Sequence, residues 1–190
     1  EPGGLFKVSG NAAVYLLNGD MERMYFPNGE VYKTWYSDFS GVQEIPNTCV
    51  DNYPAPSVAP YGVNYRPGSR LVKVEISPSV YAVESGNKLS KIGSEEVAIA
   101  LYGPNWASLV RDIPDVYWPN YAGRGDEITE AVPHDGQLVQ QEGSENVYLV
   151  KEGKLYMVEA SEASAALAAA GLGGVASGDV RMISATLFDT

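Results

Sequence analysis

The chain has little of what enzymes and metal proteins use. Its 190 residues include one histidine, His134, and one cysteine, Cys49. A single cysteine excludes an intrachain disulfide. One His and one Cys cannot complete a four-ligand zinc site without carboxylates. The sequence contains no Gly-x-Ser-x-Gly nucleophile elbow, no Asp-x-Asp-x-Asp-Gly calcium loop and no phosphate-cradling Gly-rich loop. Basic residues are scarce too: 13 Lys and Arg against 24 Asp and Glu leave a net charge of -11. Phosphate backbones and anionic lipid are poor partners for such a surface, so nucleic acid is not an expected partner. No apolar run approaches the ~20 residues that cross a bilayer, and no membrane insertion is expected.

The few reactive groups read as structure. His134 lies in Pro133-His134-Asp135-Gly136. A His-Asp pair becomes catalytic only beside a placed nucleophile, whereas Pro, Asp and Gly together are turn chemistry. Cys49 reads as a buried, inert thiol. Asp126, Glu127 and Glu130 read as a solvated acidic loop. The expectation is a protein that is not an enzyme and needs no cofactor and no metal.

A dipeptide on a fixed ruler is the main positive signal. Val14-Tyr15, Val80-Tyr81 and Val147-Tyr148 stand 66 and 67 residues apart. Each Tyr has a Leu ten residues before it (Leu5, Leu71, Leu138), and each Leu follows a turn: Pro2-Gly3-Gly4, Pro67-Gly68-Ser69-Arg70 and Pro133-His134-Asp135-Gly136-Gln137. Shared spacing of three landmarks predicts three copies of one unit. Within each copy the β-prone runs predict three strands: Leu5–Val8, Val14–Leu17 and Arg23–Phe26 in the first, with counterparts at 71–74, 80–83 and 89–92, then at 138–140, 147–150 and 155–158. The second run is apolar throughout, which predicts a central strand covered on both faces. Asn18-Gly19, Ser85-Gly86-Asn87 and Glu152-Gly153 supply hairpin turns. Asn28, Ser94 and Ser161 are candidate N-caps for a short helix with Glu in its first turn. The helices are expected to run to about Tyr36, from Glu95 to Tyr102, and from Ser161 to Ala170. The third copy departs after that, with a small-residue stretch at 171–178 and a closing strand near 181–188. Such divergence suits a capping or an assembly surface.

The connecting stretches 49–66 and 116–131 are rich in Pro and aromatics, unlike a flexible Gly/Ser linker. They are expected to lie on the units as ordered straps.

The run from Val80 to Pro114 (Val-Tyr-x-Val, Gly, Lys, Ile, Ser-x-Glu, Leu-Tyr-Gly, Trp, Val, Ile-Pro) resembles a repeat of exported, often multi-copy bacterial proteins, including ones from uncultured Patescibacteria. The stretch Trp35-Tyr36-Ser37-Asp38-Phe39-Ser40-Gly41-Val42 is similar to the repeat that precedes it there. The resemblance spans roughly residues 5 to 121. It implies an extracellular or cell-surface location and brings no catalytic residues. The chain also begins at Glu1 rather than Met, the pattern left when an export leader is removed.

These readings converge on an α+β, β-rich chain of three tandem modules. Residues 1–58, 59–131 and 132–190 would each form a three-stranded antiparallel meander with one short helix. The expected function is an exported structural subunit that self-assembles into an extracellular filament or surface layer, as a homo-oligomer or polymer. Its contacts would lie on strand-like ends: Leu5, Phe6 and Val8 at one, Ile183, Ala185, Leu187 and Phe188 at the other, through strand addition. The alternative is a cell-wall or polysaccharide-binding module in which Tyr117, Trp118 and Tyr121 stack on sugar rings and Asn120 meets hydroxyls.

Overall fold

A computed structural model of the chain describes residues 1–121, 123–158 and 180–183. The protein is α+β and strand-rich, with three sheets and few helices. In the first sheet β1 (Leu5–Val8), β2 (Val14–Leu17) and β3 (Arg23–Tyr25) form an antiparallel meander. A short helix, α1 (Gly29–Lys33), follows, and β4 (Val42–Ile45) returns beside β1 in parallel. The second sheet repeats the plan with β5 (Leu71–Val74), β6 (Tyr81–Glu84), β7 (Lys88–Lys91), α2 (Glu95–Tyr102) and β8 (Val110–Ile113). It adds β9 (Gly123–Arg124), parallel to β7 on the outer edge. The third sheet contains β10 (Leu138–Gln141), β11 (Val147–Lys151), β12 (Lys154–Val158) and β13 (Val180–Ile183), the last parallel to β10.

The expected three-stranded meander therefore lacks the returning strand in the first two sheets and β9 in the second, while in the third β13 falls at the start of the closing strand expected near 181–188. Each sheet has a returning strand parallel to its first, and in the first two the crossover runs through a helix. Val42-Gln43-Glu44-Ile45 and Val110-Arg111-Asp112-Ile113 put two polar residues between apolar ends. They show neither strict alternation nor a continuous apolar run, so local pattern does not mark them. In the first sheet the first strand is more enclosed than the second, whereas in the other two sheets both strands bury two residues each, with Ala82, Val83, Leu149 and Val150 buried in the second strands. Leu5, Phe6, Val8, Leu71, Val72, Leu138 and Val139 are buried, while Val14, Tyr15 and Leu16 are half-buried.

The turns differ between copies. Glu152 and Gly153 both take positive φ (53° and 67°), the backbone of a two-residue hairpin turn. At Asn18-Gly19 no such turn forms. Asn18 Oδ1 accepts from the backbone N–H of Asp20 and Glu22, and Met21 takes the positive φ of 62° in a longer loop.

Both described helices start as capping chemistry dictates. Asn28 Oδ1 accepts from Val31 N at 2.9 Å and Ser94 Oγ from Val97 N at 3.3 Å. Helix α2 ends at Gly103, φ 84°. Helix α1 stops short of Tyr36, because Thr34 closes it: its N–H bonds to Val31 O and its hydroxyl donates to the same carbonyl at 2.7 Å. The predicted helix 161–170 and the stretch 171–178 lie outside the described residues.

The units stack helix layer on sheet. On one side of the second sheet, α2 places Val97, Leu101 and Tyr102 over Leu71 and Ala82. On the other, Val72, Val83 and Leu89 pack with Leu5, Val31 and Tyr32 of the first unit. Both straps join that core through Val63, Tyr65 and Tyr121. Gly62 bridges in parallel to Tyr25 and Ile128 to Ile92, so each strap runs along the third strand of the sheet before it.

Candidate assembly surface

A polar junction locks the stack. Arg66 is fully buried. Its Nε donates to Thr34 O at 2.8 Å, and its Nη1 donates to Gly136 O at 2.9 Å and Pro67 O at 3.2 Å. Gln137, also fully buried, donates from Nε2 to Leu101 O and accepts the His134 N–H at Oε1. Tyr102 Oη lies 2.5 Å from His134 Nε2, while His134 Nδ1 is enclosed without a hydrogen-bond partner. The residue is half-buried as a whole, but its ring nitrogens are out of solvent reach, and burial holds its pKa below the usual 6.5. The opposing pull of Glu84 and Asp135 is smaller. His134 thus joins a turn of the third unit to the helix of the second, with its nearest polar partner a tyrosine.

That arrangement makes stability depend on mild acid. The folded pKa is lowered, so the unfolded chain binds the proton first, and stability is complete above the unfolded value and falls as pH drops below it. The melting temperature of the wild type should be flat from pH 8 to about 6.5 and decline toward pH 5. His134→Gln should remove that part of the decline. An identical slope in both proteins over this window would reject the assignment. The lowered carboxyls of Asp38, Glu44 and Glu96 act only below it.

The aromatic strap candidates are structural in their contacts. Trp118 meets Tyr81 edge-on at 5.8 Å and Tyr121 at 6.0 Å, and the Arg124 guanidinium sits 4.9 Å over its ring. Tyr121 is 6% exposed, and Tyr117 leans on Tyr25 at 6.0 Å. Asn120 is buried: its Oδ1 accepts from Tyr61 N and its carbonyl from Asn64 Nδ2. A sugar ring stacks on an open aromatic face. Here one face is covered by Arg124 and Tyr121 is enclosed. Cys49 is partly buried and has no disulfide partner, and Glu127 of the acidic loop pairs with Lys91 at 2.7 Å.

The strand-like ends are placed differently from each other. Leu5, Phe6 and Val8 lie in β1, which is hydrogen-bonded to β2 on one side and β4 on the other. Strand addition through β1 would have to displace a neighbour, so the N-terminal strand is not a free edge. Ile183 ends β13, at the margin of the third sheet beside Gln141. Ala185, Leu187 and Phe188 lie outside the described residues.

A different surface emerges from the register. Phe6, Val72 and Val139 are each second in their first strand and pair in parallel with Gln43, Arg111 and Arg181. Arg111 reaches back to Glu30 of α1, Nε to Oε1 2.5 Å. Arg181 Nη2 donates to Ser69 O at 3.1 Å, and α2 lies against β13. The second and third sheets therefore turn this face toward the unit before them. Glu30 also accepts from the hydroxyl of Tyr65, which burial pushes up to about 12. On the first sheet the partner of Phe6 is the exposed Gln43. Phe6, Val8 and Leu17 on this face are buried, with Val50 of the 47–52 turn, Tyr53, Ile45 and Met21 packed on them. Tyr53 packs on Phe6 at 5.3 Å, and the Arg23 guanidinium donates to the carbonyls of Val50 and Tyr53. A groove of about 310 Å³ beside them is lined by Gly4, Leu5, Phe6, Gln43, Ile45 and Tyr53 among others.

No family model matches the chain, and no curated protein matches it. Among solved structures it is similar to the periplasmic assembly from the ESX-5 inner membrane complex, at 13% identity and TM-score 0.26. That match covers 98% of this chain and 58% of that one. A TM-score of 0.26 is below what a shared fold requires, so nothing transfers from that complex. Among the described residues no helix is long and apolar enough to cross a membrane, and no three His, Cys, Asp or Glu gather where they could hold a metal ion.

The register-matched face escaped the sequence reading, although a signal for it exists. Val42-Gln43-Glu44-Ile45, Val110-Arg111-Asp112-Ile113 and Val180-Arg181-Met182-Ile183 share Val first, Gln or Arg second and Ile last. Aligned as a fourth landmark, they mark the returning strand and its outward-reaching second residue. Two further grooves, of about 360 and 340 Å³, recur at matching places beside Val14, Asn28 and Phe39 and beside Val80, Ser94 and Trp106.

Proposed function

We propose that this protein is an exported structural subunit of three tandem modules, residues 1–58, 59–131 and 132–190, that assembles with copies of itself into an extracellular filament or surface layer and carries no catalytic activity. The observation that carries the proposal is the repeated stacking rule. Three sheets share one order of meander plus parallel returning strand, and the second and third each turn the same face to the preceding unit. Units that contact only their neighbours by one rule form a quasi-one-dimensional array, and an array can continue from one molecule into the next. Export is supported by the acidic, Tyr- and Gly-rich composition and by the resemblance to repeats of exported bacterial proteins. The absence of a nucleophile motif and the engagement of the lone histidine with Tyr102 support a non-catalytic role.

Negative-stain electron microscopy beside size-exclusion chromatography with light scattering tests this. Regular filaments or sheets are the expected result. A monodisperse species of 20.4 kDa at every concentration would reject self-assembly.

A further inference from the structure

Two Asn-Gly pairs occur in the chain, Asn18-Gly19 and Asn28-Gly29. In this dipeptide the backbone nitrogen of glycine can attack the side-chain amide of the asparagine before it, because no Cβ shields the approach. We infer that Asn18 is a self-modifying site whose loop promotes that attack, while Asn28 is held inert by its helix. Gly19 N bonds to Asn18 Cγ and gives up its proton, the Cγ–Nδ2 bond breaks, and Nδ2 leaves as ammonia. Water then opens the succinimide ring at one carbonyl or the other. The product is aspartate, or isoaspartate with the main chain rerouted through the side chain. The inference goes beyond the self-assembly reading and does not depend on it.

The loop between β2 and β3 supplies what the reaction needs. Addition to Cγ turns Oδ1 into an oxyanion, and Asn18 Oδ1 already accepts from the backbone N–H of Asp20 at 3.0 Å and of Glu22 at 2.8 Å. Two fixed donors aimed where negative charge develops lower the barrier to its formation. Asn18 Nδ2 donates to Glu22 Oε2 at 2.9 Å. That carboxylate touches the departing nitrogen and can relay to it the proton that Gly19 gives up. Gly19 is exposed, and its own N–H makes no hydrogen bond among the described residues. Asn28 has the same neighbour in the opposite setting. Its Oδ1 has one donor, the N–H of Val31. Gly29 is the first residue of α1, so turning its nitrogen toward Asn28 Cγ would break the cap and the first turn.

The product alters the loop. A carboxylate at position 18 has no amide to donate to Glu22 and faces that acidic side chain instead, with Asp20 two residues on. Isoaspartate also adds a carbon to the main chain between Leu17 and Gly19. Met21, at φ 62°, packs from this loop on the Phe6, Val8 and Leu17 core. Conversion therefore opens the β2–β3 connection and withdraws Met21 from that core.

The test is a time course at neutral pH, on the folded protein and on the protein in urea. Peptide mapping by mass spectrometry follows aspartate and isoaspartate at both sites. In the folded protein Asn18 should convert roughly tenfold faster than Asn28, the effect of about 1.4 kcal/mol on a barrier. In urea the two rates should come together, since both asparagines precede glycine. Glu22→Gln still accepts from Asn18 Nδ2 through its amide oxygen but removes the carboxylate, and it should slow Asn18 and leave Asn28 unchanged. Gly19→Ala should all but stop Asn18. That position has no positive φ and nothing within 4 Å of an added Cβ, so the fold is kept. Melting temperatures of freshly prepared variants should match wild type. Asn28 converting as fast as Asn18 in the folded protein would overturn the inference. So would a preference for Asn18 that persists undiminished in urea, because it would belong to the local sequence and not to the loop. An Asn18 rate that Glu22→Gln leaves unchanged would overturn the part given to the carboxylate.

Discussion

Arg66→Met should cost about 3–5 kcal/mol of folding stability, the largest loss expected from any single polar substitution in the chain. Arg66 is fully buried, and its guanidinium donates to one carbonyl from each unit: Thr34 of the first, Pro67 of the second and Gly136 of the third. A hydrogen bond that forms adds little net, but a buried acceptor that loses its donor costs about 1–3 kcal/mol. Methionine fills much of the volume and satisfies none of the three. Arg66→Lys should recover only part of the loss, because a compact ammonium cannot present the planar fork that reaches Thr34 and Gly136 together. Urea unfolding followed by Tyr and Trp fluorescence measures both. Each kcal/mol is worth roughly 2–4 °C of melting temperature at this chain length. The shape of the transition is a second readout. With Arg66 in place the units should unfold together, and with methionine the curve should broaden or split. A loss below about 1 kcal/mol with an unchanged transition would mean that water or side-chain rearrangement replaces the guanidinium, and that the junction does not couple the units.

Arg66 also shows where the sequence stops informing. The meander strands, the caps at Asn28 and Ser94 and the end of α2 at Gly103 were legible, because each depends on residues within a few positions of one another. The returning strands were legible only in the third copy, where β13 falls at the start of the closing strand expected near 181–188. Their place is set by pairing across 37 to 42 residues, as in Leu5 with Val42 or Leu138 with Val180, and four-residue runs with polar centres have no periodicity of their own. Asn18-Gly19 misled for a related reason: the Asn18 side chain bonds to two backbone N–H groups and draws a longer loop around itself. Arg66 reads locally as a solvated cation beside Pro67. Nothing nearby announces that Thr34 and Gly136 close over it. The candidate contact residues Leu5, Phe6 and Val8 were recognised as apolar strand, but their pairing on both sides follows from β4, which the local pattern hid. The aromatic straps were legible as straps, since Pro and aromatics together resist a mobile linker. Which core each ring enters was set by the stack.

The three equivalent turns allow a comparison at one structural position. Gly3, Gly68 and Gly136 all take positive φ, at 82°, 73° and 91°. A left-handed backbone alone costs a residue with a Cβ about 1–2 kcal/mol. Their surroundings differ. A Cβ on Gly68 would lie 2.5 Å from Gln137 N and 2.6 Å from Gly136 C, and one on Gly136 would lie 2.5 Å from Pro67 Cβ and 2.8 Å from Pro67 O. Nothing lies within 4 Å of a Cβ on Gly3. The second and third turns are thus pressed backbone to backbone. A clash with main chain cannot be relieved by turning a flexible side chain, so the turns must separate, which would pull Gly136 O from Arg66 and Gln137 from Leu101. Gly68→Ala and Gly136→Ala should each cost well above the backbone term, about 3–5 kcal/mol, in the range of overpacking added to a broken buried network. Gly3→Ala should cost only about 1–2 kcal/mol. Because the first two clashes are reciprocal across one contact, the double substitution should cost less than the sum of the singles: once the turns have parted, the second methyl meets open space. Urea titrations of the three single variants and the Gly68/Gly136 double variant decide the matter. Equal losses at all three positions would show that φ alone governs them. Strict additivity in the double variant would show that the two turns do not bear on each other. A ranking of Gly68 and Gly136 far above Gly3, with a sub-additive double, would locate the coupling between the second and third units in this glycine contact.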